Sequence, residues 1–424
     1  MKKISYLFFS VIFACSSLLS QSNNIETQIT LPAAIEQALK NNPRIKAAHQ
    51  EWKSELETIP QVKALPDPVL SFALFGQSIE TRLGPQNTRF SLSQKLPFFG
   101  KLKIKGEIAE SQTAVLEEQY LKTRADVILQ VKEVFFTLSW YEETIRITEQ
   151  EKDILNNLAR TAEKKYETGR GSQQDILKIQ LEISRSINKL LQLSQGRKAA
   201  AAKLNSILNL PPENRLEPVM SGQSPPLMVE LPALYAWAEK ERPELKIAQQ
   251  YIDKNETKLT QAKKDYYPDF NLKFDYITIG GGSTTHSRDG QNAWIGSIGV
   301  NIPLWRKKLQ AREAQAQIKL NASRASLQDI RNSTMAAINE LYLEIKTLEE
   351  QIELYEHTLL PQAEQSVKAS EIGYVAGKVD FLNLLDGERT ILQLKTGYQK
   401  LLIDREKSRA RLERIVGRDL GRGK

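Results

Sequence analysis

Apolar and polar residues follow two different periods along this chain. In four short stretches the period is two. Phe270, Leu272, Phe274 and Tyr276 alternate with Asn271, Lys273 and Asp275, which sets an apolar face against a polar one and predicts a strand over 270–280. Residues 294–302 read as a second strand, with Trp294, Ile298, Val300 and Ile302 opposed to Ser297 and Asn301. Earlier in the chain, 69–76 and 88–96 repeat the arrangement, Phe90 and Leu92 standing against Ser91, Ser93 and Lys95. Elsewhere the period is helical, as in Ile128, Val131, Phe135 and Leu138, and later in Leu348, Ile352, Tyr355 and Leu359. No proline occurs from Lys101 to Tyr166, and Trp305 to Tyr374 is interrupted only by Pro361. At ~1.5 Å per residue each stretch makes a helix of roughly 100 Å. Helices of that length imply a coiled-coil-like assembly.

The same order of elements occurs twice. "AIEQALKNNPRIKAA" at 34–48 resembles "LYAWAEKERPELKIA" at 234–248, with Pro43 matching Pro243. "KALPDPVLSF" at 63–72 resembles "DYYPDFNLKF" at 265–274, and "FSLSQKLPFFGK" at 90–101 resembles "IGSIGVNIPLWR" at 295–306. "YETGRGSQQDIL" at 166–177 resembles "YVAGKVDFLNLL" at 374–385. The expected layout is a leader over 1–20, a first structural repeat over 21–209, a proline-rich connector over 210–230, a second repeat over 231–417 and a basic tail over 418–424. Each repeat contributes two strands and a long helical hairpin, with tips near 169–172 and 377–380.

Composition narrows the classes. The 424 residues include 21 glycines and 17 prolines, few breakers for this length, as long helices require. With 26% charged residues and no apolar run of bilayer length, a multispanning helical membrane protein is excluded. With 41% hydrophobic residues, so is a disordered chain. The net charge of +8 comes with no nucleic-acid motif, and the charged helix faces are expected to be solvated.

The start of the chain sets the compartment. Lys2 and Lys3 precede an apolar run, Ile4 to Ala14, too short to span a bilayer, and small residues follow up to Ser20; this is the pattern of a secretory signal peptide. A second reading takes Cys15, the only cysteine, as the lipid anchor of a lipoprotein. In an exported chain, strands that are apolar on one side and polar on the other fit the wall of a transmembrane barrel, although a soluble sheet shows the same alternation. Strands of about 9–11 residues favour the barrel. Four strands cannot close a pore when the smallest barrels use about eight, and an open edge in lipid costs several kcal/mol per unpaired group. Membrane strands therefore demand several chains in one barrel. Phe90, Leu92, Phe270, Leu272, Phe274, Tyr276, Trp294 and Ile298 are the expected lipid-facing residues.

Taken together, the leader, the duplicated halves, two strands in each half and the very long helices resemble the TolC family of outer-membrane efflux proteins. "SLSQKLPFFGKLKIKGEIAE" at 91–110 looks like the strand-to-helix junction of its heavy-metal-efflux branch, of the CzcC/CusC type, and "YVAGKVDFLNLLDGERT" at 374–390 is similar to its second hairpin tip. The resemblance implies a mainly α chain with a small β part: duplicated helical hairpins forming a trimeric periplasmic α-barrel, and four strands per chain contributing to a shared twelve-stranded outer-membrane β-barrel. The implied function is a homotrimeric exit duct of a tripartite efflux system, passive, opened by a periplasmic adaptor (a membrane fusion protein) and an inner-membrane transporter of the RND type. Type I protein secretion and a soluble periplasmic coiled-coil scaffold or adaptor are the alternatives.

By the same resemblance Gly169, Arg170, Gly171 and Ser172, with Gly377, Lys378, Val379 and Asp380, form the adaptor-docking tips. Asp386 matches an acidic gate ring, and Asn383 stands where a second acidic residue can occur. Asp175 and Tyr374 match a hydrogen bond between hairpins. Val379 takes the place of the gate arginine, with Lys378 beside it as the substitute. No catalytic residue, metal site or cofactor is expected. His49, His286 and His357 lie far apart, and no nucleophile or phosphate-binding motif is present.

Overall fold

The computed structural model describes residues 27–220, 222, 224–282, 285 and 287–421. The leader, Cys15, His286 and residues 422–424 of the tail lie outside the described residues.

The described chain starts with β1 (Thr27–Thr30), followed by α1 (Leu31–Asn41) and α2 (Pro43–Leu56). Both helices carry proline in the first turn, where a missing N–H costs nothing. Pro60 cannot continue the backbone ladder, so the chain breaks at Glu57 and restarts as α3 (Thr58–Lys63). Then come β2 (Val69–Leu74), β3 (Glu80–Thr81), β4 (Gly84–Leu96) and two long antiparallel helices, α4 (Lys101–Glu167) and α5 (Gln173–Leu208). β5 (Leu216–Val219) follows inside the stretch read as connector and pairs in parallel with β1. The order then repeats as α6 (Leu231–Glu241), α7 (Pro243–Lys264), β6 (Phe270–Ile279), β7 (Ala293–Val300), α8 (Arg306–Leu354), a π-turn at Tyr355–Leu359, α9 (Leu360–Val375) and α10 (Phe381–Val416).

Strand positions follow the sequence reading, with shifted ends. β4 begins at Gly84 rather than 88, because a register shift between Gln86 and Thr88 carries pairing with β6 into the expected loop. β2 stops at Leu74, and β7 runs from Ala293 to Val300. Neither β1 nor β5 shows a periodic signal, each being four residues long.

The main sheet has the order β2-β4-β6-β7, all antiparallel, and it is open: β2 and β7 are edges, and no closed barrel forms within one chain. Three apolar cores lie along the helices. One joins Ala34 and Ala38 to Val131, Phe135 and Leu138 of α4 and to Leu204 and Leu208 of α5. A second joins Leu234 and Ala238 to Ile338 and Ile345 of α8 and to Leu412 and Val416 of α10. The third lies near the hairpin tips. α4 and α5 approach closely where Gly196 faces the Tyr141 ring, since a Cβ there would lie 2.4 Å from ring carbons. The long helix of the second half absorbs Pro361 by widening one turn, so that Leu360 N–H bonds to Tyr355 O across five residues. Among the described residues no helix is long and apolar enough to cross a membrane.

Candidate functional site

Candidate functional features stand at the two ends of the long helices. At one end is the sheet. Its register aligns Leu70, Leu92, Phe274 and Gly296, and beside them Phe72, Phe90, Tyr276 and Trp294, on one side. Leu272 and Ile298 extend that side. Ser71, Ser91, Asp275 and, one pair along, Ser93, Lys273 and Ser297 occupy the other. Trp294 and Ile298 are 70% and 74% exposed, whereas Ser91 and Asp275 on the two central strands are 7% and 5% exposed, so the apolar side is uncovered and the polar side is covered at the centre of the sheet. Seven of the expected outward residues are exposed, Phe90, Leu92, Leu272, Phe274, Tyr276, Trp294 and Ile298, while Phe270 at the strand's start is half-buried. On the polar face Asp275 accepts a hydrogen bond from Ser91 and pairs with Lys273 at 2.9 Å.

At the other end are the two hairpin tips. Both helices entering a tip finish alike: Arg170 N–H bonds to Lys165 O at 2.8 Å and Lys378 N–H to Gly373 O at 2.8 Å, closing the last turn over a glycine. Gly169 and Gly377 have φ of +71° and +73°, a left-handed conformation that a side chain would strain. Ser172 then caps α5 by accepting from Gln174 N–H at 3.1 Å, while Asp380 holds the equivalent position before α10 without a side-chain bond. Gly169, Arg170, Ser172, Gly377, Lys378 and Asp380 are exposed, and Gly171 and Val379 half-buried.

The structure brings the tips together through the third core: Leu155 and Leu158 of α4, Ile179 of α5, Tyr374 of α9, and Phe381, Leu384 and Leu385 of α10. Tyr374 sits in it at 5% exposure, and burial, together with the charges of Asp175 and Asp380, pushes its phenol pKa up. Its hydroxyl has no hydrogen-bond partner, so the expected bond to Asp175 is not made. Burial draws the ring into the apolar cluster and leaves the carboxylate outside it. Lys165 takes the partner's role, with Nζ 4.1 Å from the centre of the Tyr374 ring and a hydrogen bond to the Tyr374 carbonyl. Lys378 makes no ion pair among the described residues and stays exposed, so Lys165 rather than Lys378 supplies the cation beside Tyr374. Asp386 and Asn383 are exposed. Arg389, one turn from Asp386, pairs with Glu182 of α5, which Arg185 also reaches at 2.6 Å. The bond from Arg389 holds the Glu182 carboxyl below its usual range.

Behind this cluster lie two acids that pattern reading passed over. Glu151 of α4 and Glu388 of α10 are 7% and 5% exposed. Burial, and then the Glu388 charge, pushes Glu151 up to about 7 against the opposing pull of Lys395. Glu388 is raised by burial and by Glu371. A signal for them existed: Glu151 interrupts the helical stripe Ile147, Leu155, Leu158, and Glu388 the stripe Leu384, Leu385, Ile391. The expectation of solvated charge fails along α10 as well. Arg405, Arg409 and Glu413 are buried, because the helix packs against α4 and α8 and turns those residues inward. Arg409 also reaches Leu420 O at 3.0 Å, which ties the start of the basic tail to the helix.

Known proteins resemble this chain over most of its length. The chain is 24% identical over 405 residues to the cobalt-zinc-cadmium resistance protein CzcC of Cupriavidus metallidurans, a match spanning 92% of this chain and 90% of that one. Among solved structures, CusC superposes with a TM-score of 0.78 at 18% identity, covering 92% of each chain. The outer membrane protein VceC of Vibrio cholerae superposes with a TM-score of 0.77 at 16% identity, covering 92% of this chain and 97% of that one. The model of the outer membrane efflux protein family matches twice, over residues 34–210 and 234–418, so a chain with an outward-apolar sheet at one end and paired helical tips at the other belongs to the outer membrane efflux protein family.

Proposed function

We propose that three copies of this chain form a passive outer-membrane exit duct, which a periplasmic adaptor and an inner-membrane transporter of the RND type open from the periplasmic side. The observation that carries the reading is the open sheet: β2 and β7 are unpaired edges of a wall whose outer face is apolar. In lipid such edges must be paired, and three four-stranded sheets joined edge to edge satisfy them. Apolar side chains left uncovered on the helices support the same assembly: Leu177, Leu181, Ile187 and Leu191 on α5, and Ile372 and Val375 on α9.

The tips supply docking and gating. Gly169 to Ser172 and Gly377 to Asp380 offer adaptor hairpins an exposed backbone-rich surface. Lys165 on Tyr374 and Arg389 on Glu182 hold the two hairpins against each other. Three exposed copies of Asp386 near the axis repel one another and attract cations, and widening the entrance relieves that repulsion. One relative's name points to metal-ion efflux as the first cargo class to test.

Purified protein reconstituted in planar bilayers tests this. Replacing Lys165 and Arg389 together by Ala is expected to raise single-channel conductance several-fold. Unchanged conductance would remove the gate assignment. Recovery of the native protein from the soluble periplasm without detergent would remove the duct in favour of a scaffold.

A further inference from the structure

We infer that the strand-walled end of the duct attracts small anions, so that at low salt it passes them more readily than small cations, against the metal-ion cargo that one relative's name suggests. This rests on the trimeric reading above, which places the polar face of the sheet on the lumen. That face carries Arg89, Lys95 and Lys273, with Lys101 at its base, against Asp275 on β6 and Asp67 and Asp269 just before β2 and β6. Asp269 and Asp275 are already held. Asp275 is taken by Lys273 and Ser91. Asp269 pairs with Lys101 at 2.8 Å and accepts from Phe98 N–H at 3.0 Å. Arg89 and Lys95 make no ion pair among the described residues; Arg89 rests over the Phe75 ring at 5.6 Å, and Lys95 is exposed. The outer loops add Glu80, Arg82, Arg288 and Asp289, whose formal charges cancel. Four cations against three carboxylates leave each protomer one net positive charge on this face, and the trimer three.

The dimensions decide whether that matters. Twelve strands at ~4.8 Å spacing and ~40° tilt enclose a wall of roughly 12 Å radius. The Debye length is about 30 Å at 0.01 M salt, so the field of these cations fills the lumen, and about 3 Å at 1 M, where it does not. Anion preference at this end should be clear at low salt and vanish at high salt. The Asp386 ring at the far end opposes it, so the test compares variants that share that ring.

Reversal potentials of the full-length protein in planar bilayers, across a gradient from about 0.01 to 0.1 M KCl, read the effect directly. Arg89→Gln with Lys95→Gln should lower the chloride-to-potassium permeability ratio by about twofold or more, and Arg89→Lys should leave it at the wild-type value. The same ratio in wild type and the double glutamine variant would overturn the inference while leaving the duct intact. A wild-type protein that forms no channels at all would overturn the duct reading itself.

Discussion

The cores of the two halves bury matching positions and close them by different chemistry. In the first half, α5 seals the core with Leu204 and Leu208, flanked by Ala199 to Ala202, and its buried Asn205 holds the Pro212 and Asn214 carbonyls of the next loop at 3.2 and 2.7 Å. In the second half, α10 brings Leu412 and Val416 to the same place, but the turns around them carry Arg405, Arg409 and Glu413. Glu413 and two neighbouring arginines bind across to the first half: Glu413 to Lys132 at 2.5 Å, Arg414 to Asp126 at 2.7 Å and Arg411 to Glu133 at 2.7 Å. At this level the contact between α10 and α4 is ionic, whereas nearer the tips the third core joins the two halves by apolar packing. An apolar stripe tolerates sliding, whereas a buried ion pair is strongly penalised when a partner is lost, which pins one register of α10 on α4.

Breaking that seam should have the largest effect. Lys132→Ala removes the Lys132 ammonium from the Glu413 carboxylate, which is 5% exposed, and is expected to destabilise the detergent-solubilised protein by about 3–5 kcal/mol in thermal unfolding. Lys132→Met combined with Glu413→Leu should recover most of that loss; a double variant as unstable as the single would show that the pair does more than neutralise itself.

The acids beside the tips give the next largest effect. The Glu151 pKa is raised by the fold, so the unfolded state loses its proton first as pH climbs. Stability is then full below about 4.5, falls as pH rises toward about 7 and levels off above it, a change of up to about 3 kcal/mol. Glu151→Gln should flatten most of the slope in melts taken from pH 5 to pH 8, and an unaltered slope would assign it to other groups.

A smaller contrast lies at the first helix pair of each half. Asn42 accepts from Arg44 N–H at 2.9 Å to cap α2 and donates to Ile207 O at 2.8 Å, whereas Arg242, its counterpart before α7, caps nothing. Asn42→Ala should cost about 1–2 kcal/mol and Arg242→Ala about 0.5 kcal/mol or less. Equal losses would show that capping does not distinguish the halves. The smallest effect is expected at Tyr374→Phe, which removes a buried hydroxyl with no partner. Stability should move by less than about 0.5 kcal/mol, with conductance unchanged, and a large rise in conductance would restore the hydroxyl to the gate.

Much of the fold was legible because it is written in local periods. Alternation placed β2, β4, β6 and β7 to within a few residues, and the proline-free runs located α4 and most of the α8–α9 rod. Glycines at the tips marked the reversals, since only there must φ turn positive. The short strands β1 and β5 escaped because their pairing joins Thr27 to Leu216, a contact with no local trace. At the tips, resemblance supplied Asp175 and Tyr374, but Lys165, Glu182 and Arg389 stayed hidden, because a lysine or arginine on a long helix looks the same whether it faces water or a neighbouring tip.

Sequence periodicity alone settled which faces are apolar, how long the rods are and that four strands cannot close by themselves, because these follow from side-chain spacing and element length. Packing decided which charges α10 buries, which cation sits on Tyr374 and which polar side chains of the sheet are covered. Those outcomes depend on what stands opposite each residue across a helix or strand seam, and opposition between residues hundreds of positions apart is a property of the assembled chain.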